Sequence, residues 1–144
     1  EEETILDNSL TRSYMHPLGD KELSNESRKL FFNDDHELVK NNRVISIQGN
    51  SGTGSLRVIL QLIYTYNSRD KNKERYVYLP NPTWANHYTM CDKIGFKYVK
   101  YDYFDTHTLR VNFSALLNVL KVAEEGSVFV LHTCAFNPCG SDLS

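Results

Sequence analysis

The stretch that decides the fold is VISIQGNSGTGSLRVILQLI, residues 44–63. Its β-branched start at residues 44–47 predicts a short strand. The glycine-rich residues 49–54 predict a tight turn, and after it apolar side chains recur at helical spacing, namely Leu56, Ile59, Leu60 and Ile63. The sequence therefore predicts a strand, a turn and an amphipathic helix over residues 54–67.

The alternation of strand and helix continues along the chain. Further strands are predicted at residues 76–79, 96–104 and 127–132, and helices at 84–94 and 113–122. Pro80 and Pro82 should end the second strand, because proline cannot donate to a sheet ladder. Strands joined through helices by short connections form parallel sheets. The predicted fold class is therefore α/β, in three layers, with a mainly parallel sheet covered by helices on both faces.

The ends of the predicted helices carry their own signals. Gly95 should end the helix at 84–94, and Asn112 or Ser114 should lie near the cap of the helix at 113–122. Upstream, residues 1–42 are expected to form an N-terminal segment, helical at 21–32 and irregular at 14–19. Residues 43–144 form the strand–helix repeats, and the chain stops soon after its last predicted strand. An unclosed sheet of this kind is typical of a fragment of a larger domain.

Composition narrows the range of partners. The chain has 144 residues, 40% of them hydrophobic, which suffices for one domain with a core. Its 16 Lys and Arg against 18 Asp and Glu provide no large basic field for nucleic acid. No apolar run reaches the ~20 residues that span a bilayer, and the acidic start does not resemble a signal peptide. We expect neither nucleic acid nor a membrane as partner, and the three cysteines, which cannot all pair, favour a reducing compartment.

The glycine-rich turn is a candidate anion site. A turn that leads into a helix presents backbone N–H groups and the positive end of the helix dipole, and Ser51 and Thr53 add hydroxyl donors. Known motifs match only in part, since Ser55 and Leu56 stand where a P-loop needs Lys and Ser/Thr, and Arg57 replaces the third glycine of a dinucleotide fingerprint. The alternatives are a phosphate cup without that lysine and a tight turn without a ligand.

Two other predicted strands are followed by residues that can contact a ligand. Trp84 and His87 follow the second strand, and His132 and Asn137 follow the fourth. Ligands of parallel sheets bind at the carboxyl ends of the strands, where an indole can stack on a flat ligand. A packing tryptophan and a plain turn at Asn137-Pro138 are the alternatives.

Metal binding and cysteine catalysis find little support in the sequence. The available metal ligands are His87, Cys91, His132, Cys134 and Cys139, which include no compact Cys-x-x-Cys pair. Nothing marks one cysteine as an activated nucleophile. We therefore predict no metal site.

Taken together, the three motifs resemble the class I/II aminotransferase family, and within it the aspartate aminotransferases. The matching residues, in order and spacing, are Ser51-Gly52-Thr53-Gly54 with Leu56-Arg57, Pro82-Thr83-Trp84 with Asn86-His87, and His132 with Cys134-Ala135 and Asn137-Pro138-Cys139-Gly140. Residues 14–19 and 101–105 resemble further family stretches, so the likeness covers all but about the first dozen residues. The resemblance implies part of the large domain of the pyridoxal-phosphate-dependent transferase fold, fold type I.

The resemblance implies that pyridoxal 5′-phosphate is the cofactor. Ser51, Gly52 and Thr53 would hold its phosphate. Trp84 would stack on the pyridine ring and help frame the substrate. Asn137 would hydrogen-bond the phenolic oxygen of the cofactor and help position the substrate carboxylate.

Three further roles follow from the same resemblance. His87 would lie behind the ring and support an aspartate that pairs with the pyridine nitrogen, with His132 in the same network. Tyr14 would reach the phosphate of the cofactor in the neighbouring subunit, which implies a homodimer. The family's Schiff-base lysine, that aspartate and the carboxylate-binding arginines come later than Ser144, and no lysine here resembles the first of them. We expect no catalytic residue in this chain, and residues 1–144 to be the N-terminal part of the large cofactor-binding domain, inactive alone.

The implied reaction transfers an amino group between L-aspartate and 2-oxoglutarate, a small amino acid and a small 2-oxo acid. An aminotransferase for aromatic amino acids and a catalytically silent relative acting as a binding module are the alternatives. The expected location is cytoplasmic, with mitochondrial as the alternative. The chain departs from the family pattern at Cys139, in place of Thr, at Phe136, in place of His, and by one extra residue between Tyr14 and Pro17.

Overall fold

The computed structural model describes residues 14–33, 35–66 and 76–143. The chain divides into two compact units, residues 1–55 and 56–144, and each is described by itself. The last residue of the helix predicted at 54–67 lies outside the described residues, as does the whole polar stretch from 67 to 75.

The described residues of the first unit form two helices and the beginning of a third. They are α1 at Lys21–Phe32, α2 at Glu37–Lys40 and α3, which begins at Ser51 and ends at Tyr66. The Asp20 carboxylate caps α1 by accepting the Leu23 N–H at 2.7 Å. Helix α1 thus has the bounds that the sequence predicted, whereas α3 begins three residues earlier than predicted.

The prediction of a strand at residues 44–47 is wrong. These residues form no strand, and the described part of the first unit contains no other strand that could pair with them. A β-branched run favours extended backbone, but a strand also needs a hydrogen-bonded neighbour. The segment instead ends against the turn before α1, where the Gln48 N–H donates to the Leu18 carbonyl at 3.1 Å and Gln48 Oε1 accepts the Asp20 N–H at 2.9 Å.

The second unit is built on a parallel sheet. Its strands are β1 at Tyr76–Asn81, β2 at Lys97–Asp102 and β5 at Val128–Phe129, in the order β2-β1-β5. A separate antiparallel hairpin pairs β3 at Phe104–Asp105 with β4 at Arg110–Val111. Helices α4 at Ala85–Ile94 and α5 at Phe113–Val122, together with α3 from Leu56 onward, also lie in this unit. The predicted α/β class with a parallel sheet is confirmed.

Helices pack on both faces of this sheet. Val77 and Leu79 of β1 are fully buried in one cluster with Leu60 of α3 and residues of α4. Tyr78, which lies between them and therefore points to the opposite face, packs against a second cluster that contains Leu116 of α5. The strand alternation thus divides the core into two layers of side chains, as a sheet between helices requires.

Strand β1 runs through Pro80, contrary to the prediction that Pro80 ends it. Pro80 pairs with Tyr101 of β2, but β5 pairs only with Val77 and Tyr78. Strand β1 therefore has a single neighbour at Pro80, and the missing N–H leaves no ladder position empty on the β5 side.

The strands predicted at 96–104 and 127–132 are shorter in the structure. Strand β2 ends at Asp102, because the two backbone groups of Tyr103 have different partners. Its N–H still donates to the Asn81 carbonyl at the end of β1 at 3.2 Å, whereas its carbonyl accepts the Asn112 N–H at 2.7 Å. The chain then enters the β3–β4 hairpin. Strand β5 covers only the two residues that pair with β1.

The ends of α4 and α5 follow the predicted signals. Gly95 ends α4 with a left-handed φ of +97°, and its N–H donates to the Cys91 carbonyl. Asn112, rather than Ser114, caps α5, and its Oδ1 accepts the Ala115 N–H at 3.1 Å. Trp84 is the N-cap residue of α4 without a side-chain cap bond.

The conformation of Gly95 predicts a specific loss of stability. In the whole protein, Gly95→Ala should lower the free energy of unfolding by about 1–2 kcal/mol, because an alanine resists the left-handed conformation and its Cβ would lie 3.1 Å from the Tyr64 hydroxyl. Denaturant unfolding measures the change.

Gly54→Ala is the matched control. Gly54 lies in the first turns of α3, where a Cβ would make an ordinary 3.5 Å contact with Asn50. Its substitution should leave the free energy of unfolding unchanged or raise it by up to about 1 kcal/mol. Equal losses in the two variants would contradict the conformational explanation.

Candidate functional site

The first turn of α3 is formed by the candidate anion-binding residues themselves. Because the helix begins at Ser51, the N–H groups of Ser51, Gly52 and Thr53 belong to the turn that has no partner within the helix. All three residues are exposed, and no acidic side chain lies in this turn. The positive end of the dipole, the free donors and two hydroxyl groups therefore meet at one exposed point that suits an anion.

Two glycines shape this turn in different ways. A Cβ on Gly49 would collide with the Ser55 hydroxyl, which itself donates to the Ser51 carbonyl at 2.8 Å. A side chain at Gly49 would therefore displace the Ser55 hydroxyl from the Ser51 carbonyl. A Cβ on Gly52 would meet no described atom within 4 Å, so the side of the turn at Gly52 is open.

In the second unit, aromatic rings form a continuous chain at the carboxyl ends of β1 and β5. The Trp84 and His87 rings meet edge to face at 5.6 Å between centroids, and His87 meets His132 in the same way at 5.4 Å. His132 then stacks on Phe136 at 4.3 Å, and Phe136 stacks on Tyr103 at 4.2 Å. The structure thus brings together the predicted residues that follow the second and fourth predicted strands.

His87 is a buried and neutral member of this chain. Its side chain is 3% exposed, and its Nδ1 lies 2.8 Å from the Thr83 hydroxyl oxygen. Burial first, and then the nearby His132, lower the pKa of His87 from 6.5 to about 4. A neutral imidazole with one nitrogen engaged by Thr83 can act at its other nitrogen as a hydrogen-bond partner without bringing a charge.

His132 connects the ring chain to Asn137. The Nδ1 atom of His132 accepts the backbone N–H of Asn137 at 3.1 Å. This bond requires a lone pair on Nδ1, so a neutral His132 carries its proton on Nε2. Asn137 itself is exposed, so its amide is available to a ligand.

Hydrogen bonds close the loop that carries Asn137. The Phe136 carbonyl accepts the Gly140 N–H at 2.6 Å, and its N–H donates to an Asp142 carboxylate oxygen at 3.3 Å. The Tyr103 hydroxyl donates to the Ser141 carbonyl at 3.3 Å. Both ends of the loop are therefore fixed to the same aromatic stack.

The predicted site residues fall into two groups. Trp84, His87, His132 and Asn137 meet in the second unit, with Trp84 half-buried. Ser51, Gly52 and Thr53 lie in the first unit, as does Tyr14, whose side chain is fully exposed.

Three contributors were not selected as site residues from the sequence. Thr83 could have been found, because it lies four residues before His87 at the start of a helix, a spacing that brings side chains together. The contact between Tyr103 and Phe136 forms only because a loop returns to the sheet. No local sequence pattern predicts that return.

Cys91 is not an activated nucleophile. Burial, and then the neighbouring Asp92, raise the pKa of the buried Cys91 thiol to about 11. Cys134 is exposed and Cys139 half-buried, and all three thiols are free. Among the residues that the structure describes, no group of three or more His, Cys, Asp or Glu side chains could hold a metal ion. Within the same ranges, no helix combines the length and apolar character that crossing a bilayer requires.

Comparisons with known proteins agree on one family. The family model for class I and II aminotransferases matches residues 1–144. Cytoplasmic aspartate aminotransferase isozyme 2 of Arabidopsis thaliana is 37% identical over 140 residues, which are 97% of this chain and 34% of that protein.

Two solved structures show the same fold. An aromatic-amino-acid aminotransferase from Burkholderia pseudomallei, covalently bound to pyridoxal phosphate, is similar with a TM-score of 0.88 and 34% identity, over 99% of this chain and 35% of that one. A mitochondrial aspartate aminotransferase from Trypanosoma brucei is similar with a TM-score of 0.84 and 30% identity, over 93% and 34% of the two chains. The chain spans about a third of the length of the curated relatives it matches.

The buried His87 predicts a pH-dependent stability. Because its pKa in the folded protein is about 4, below the 6.5 of an exposed histidine, the unfolded chain takes up this proton first. Stability is therefore lost as the pH falls from about 6.5 towards 4. Between pH 7 and pH 5 the whole protein should lose about 2 kcal/mol more free energy of unfolding than its His87→Gln variant. Urea unfolding at both pH values measures this difference, and equal losses would contradict a buried neutral His87.

Proposed function

The chain belongs to the class I and II aminotransferases, and from this membership we propose that the whole protein is a pyridoxal-phosphate-dependent aminotransferase. The observation that carries the proposal is the chain of rings from Trp84 through His87 to His132, with the Asn137 backbone bound at its end. It lies where parallel strands end, which is where such sheets bind ligands.

The chemistry of the donor groups fits pyridoxal phosphate. A phosphate needs several donors around it, which the first turn of α3 offers in its N–H groups and in the hydroxyls of Ser51 and Thr53. A flat heteroaromatic ring needs an aromatic face, which the half-buried Trp84 offers. A ring oxygen needs a donor, which the exposed Asn137 amide offers.

We propose a role for each of these residues toward the cofactor. Ser51, Gly52 and Thr53 hold the phosphate, Trp84 stacks on the ring and frames the substrate, and Asn137 donates to the ring oxygen and to the substrate carboxylate. When bound, pyridoxal phosphate supplies an electron sink for the substrate carbon.

The two histidines and Tyr14 have roles further from the reacting carbon. His87, neutral and held by Thr83, supports an aspartate at the pyridine nitrogen from behind, and His132 orients Asn137. Tyr14 reaches the phosphate held by the partner in a homodimer, which its full exposure permits. The Schiff-base lysine, which moves the proton at the substrate carbon, is then supplied by the remainder of the protein.

The proposed reaction exchanges the amino group between L-aspartate and 2-oxoglutarate. Curated relatives of this chain carry aspartate aminotransferase names, which supports this substrate pair. Several similar structures are aromatic aminotransferases, so an aromatic amino acid is the second candidate substrate. We propose residues 1–144 as the N-terminal part of the large cofactor-binding domain, and a cytoplasmic location, in line with the name of the Arabidopsis thaliana relative. A mitochondrial location is the alternative.

The first experiment adds pyridoxal phosphate to the purified whole protein and records its visible spectrum. We expect a bound, coloured cofactor whose spectrum changes on adding L-aspartate, with release of oxaloacetate. Adding 2-oxoglutarate should then form glutamate and restore the first spectrum. A larger kcat/KM with phenylalanine than with aspartate would favour the aromatic alternative. A protein that binds no cofactor would contradict the enzyme proposal and favour a binding module.

The second experiment tests the phosphate cup with one hydroxyl. Thr53→Val should raise the dissociation constant of pyridoxal phosphate by roughly tenfold, the loss expected from one hydrogen bond to a charged group. Thr53 is exposed, so the fold should not change.

Thr65→Val is the matched control for this experiment. Thr65 is an exposed hydroxyl near the other end of α3, and it donates to the Gln61 carbonyl at 2.8 Å. Its substitution should leave the affinity for the cofactor unchanged. An affinity equally unaffected in both variants would contradict the role of Thr53.

A further inference from the structure

Phe136 is the middle ring of a three-ring stack that leads to Asn137. It is 1% exposed, and it lies nearly parallel to both neighbours, at 26° to Tyr103 and 23° to His132. Offset stacking at these separations is favourable and orients both rings. The imidazole plane of His132 is therefore set by a ring that the proposed function does not use.

The orientation of His132 decides where Asn137 lies. Its Nδ1 accepts the Asn137 N–H at 3.1 Å, and a hydrogen bond to a ring nitrogen is directional because the lone pair lies in the ring plane. A rotation of the imidazole would break this bond.

Phe136 also fixes the loop backbone next to Asn137. Its carbonyl and N–H bind Gly140 and Asp142, while Tyr103, on the other side of the stack, binds the Ser141 carbonyl. The side chain and the backbone of Phe136 thus both hold Asn137 in position.

We propose that Phe136 is a positioning residue. It acts through His132 to hold the backbone of Asn137 where the Asn137 side-chain amide meets the ring oxygen of the cofactor. The inference rests on the proposed function for the role of Asn137. Phe136 touches neither cofactor nor substrate in this proposal.

The test compares Phe136→Leu with Phe129→Leu in the whole protein. Phe129 is also a stacked phenyl ring, at 4.6 Å from Tyr78 on the same sheet, so both variants lose one stacked ring. Phe136→Met, which fills more of the space with an unbranched chain, is measured beside them in case Phe136→Leu does not fold.

The first readout is hydrogen exchange of the Asn137 backbone N–H in the protein without cofactor, followed by mass spectrometry of peptides that span Asn137 and Pro138, which itself has no N–H. Phe136→Leu or Phe136→Met should accelerate this exchange by roughly tenfold or more, because the bond to His132 opens more often. Phe129→Leu should leave it unchanged. An unchanged rate in the folded Phe136 variants, or an equal acceleration in Phe129→Leu, would overturn the proposal.

The second readout is the pH midpoint of the visible absorbance of bound pyridoxal phosphate. Because a hydrogen bond from Asn137 stabilises the ring oxygen in its ionised form, weakening it should raise this midpoint by about one pH unit. The titratable groups around the stack are His87, His132, Tyr101, Tyr103, Cys139 and Asp142, and every variant retains them.

The two readouts separate the inference from the proposed function. Faster exchange without a shifted midpoint would overturn positioning toward the cofactor. A wild-type protein that binds no cofactor would instead contradict the proposed function, and the exchange comparison would then decide alone whether Phe136 positions the Asn137 backbone.

Discussion

The parallel pairing of β1 with β2 and β5 is the constraint on which the second unit depends. Six residues of β1 pair with β2 and two with β5, and the fully buried Val77 and Leu79 hold α3 and α4 on one face. Because parallel strands end at the same edge of a sheet, the residues after β1 and after β5 must meet there. Trp84 and His132 therefore lie in one chain of rings although 47 positions separate them along the chain.

The same packing gives the ring chain its chemical character. Burial keeps His87 neutral, so its hydrogen bond to Thr83 costs no buried charge. His132 has an aromatic ring on each side and a single backbone donor on Nδ1. The packed rings thereby fix the direction of the polar atoms at the end of the ring chain. A binding site requires this of its supporting residues.

Local signals predicted the ends of the helices better than the ends of the strands. Helices α1 and α5 have the predicted bounds because Asp20 and Asn112 cap them within one turn. Strands depend on partners far along the chain, so the run at 44–47 was wrongly assigned and the passage of β1 through Pro80 was missed. For the candidate site, the rule that ligands bind at strand ends selected residues that the structure brings together in the second unit, and the resemblance suggested their roles. No sequence pattern indicates that the loop returns to stack Phe136 on Tyr103.

A chain of slightly negative net charge can still bind the proposed anion. The net charge acts over long distances, whereas the N–H groups that would bind the anion act only at contact. A net charge of −2 argues against a polyanion, since long-range attraction needs a field that extends beyond the ~8 Å screening length of physiological salt. The first turn of α3 acts only at contact distance, through N–H groups whose direction the helix fixes in advance. The absence of acidic side chains from that turn therefore matters more for a single phosphate group than the composition of the whole chain.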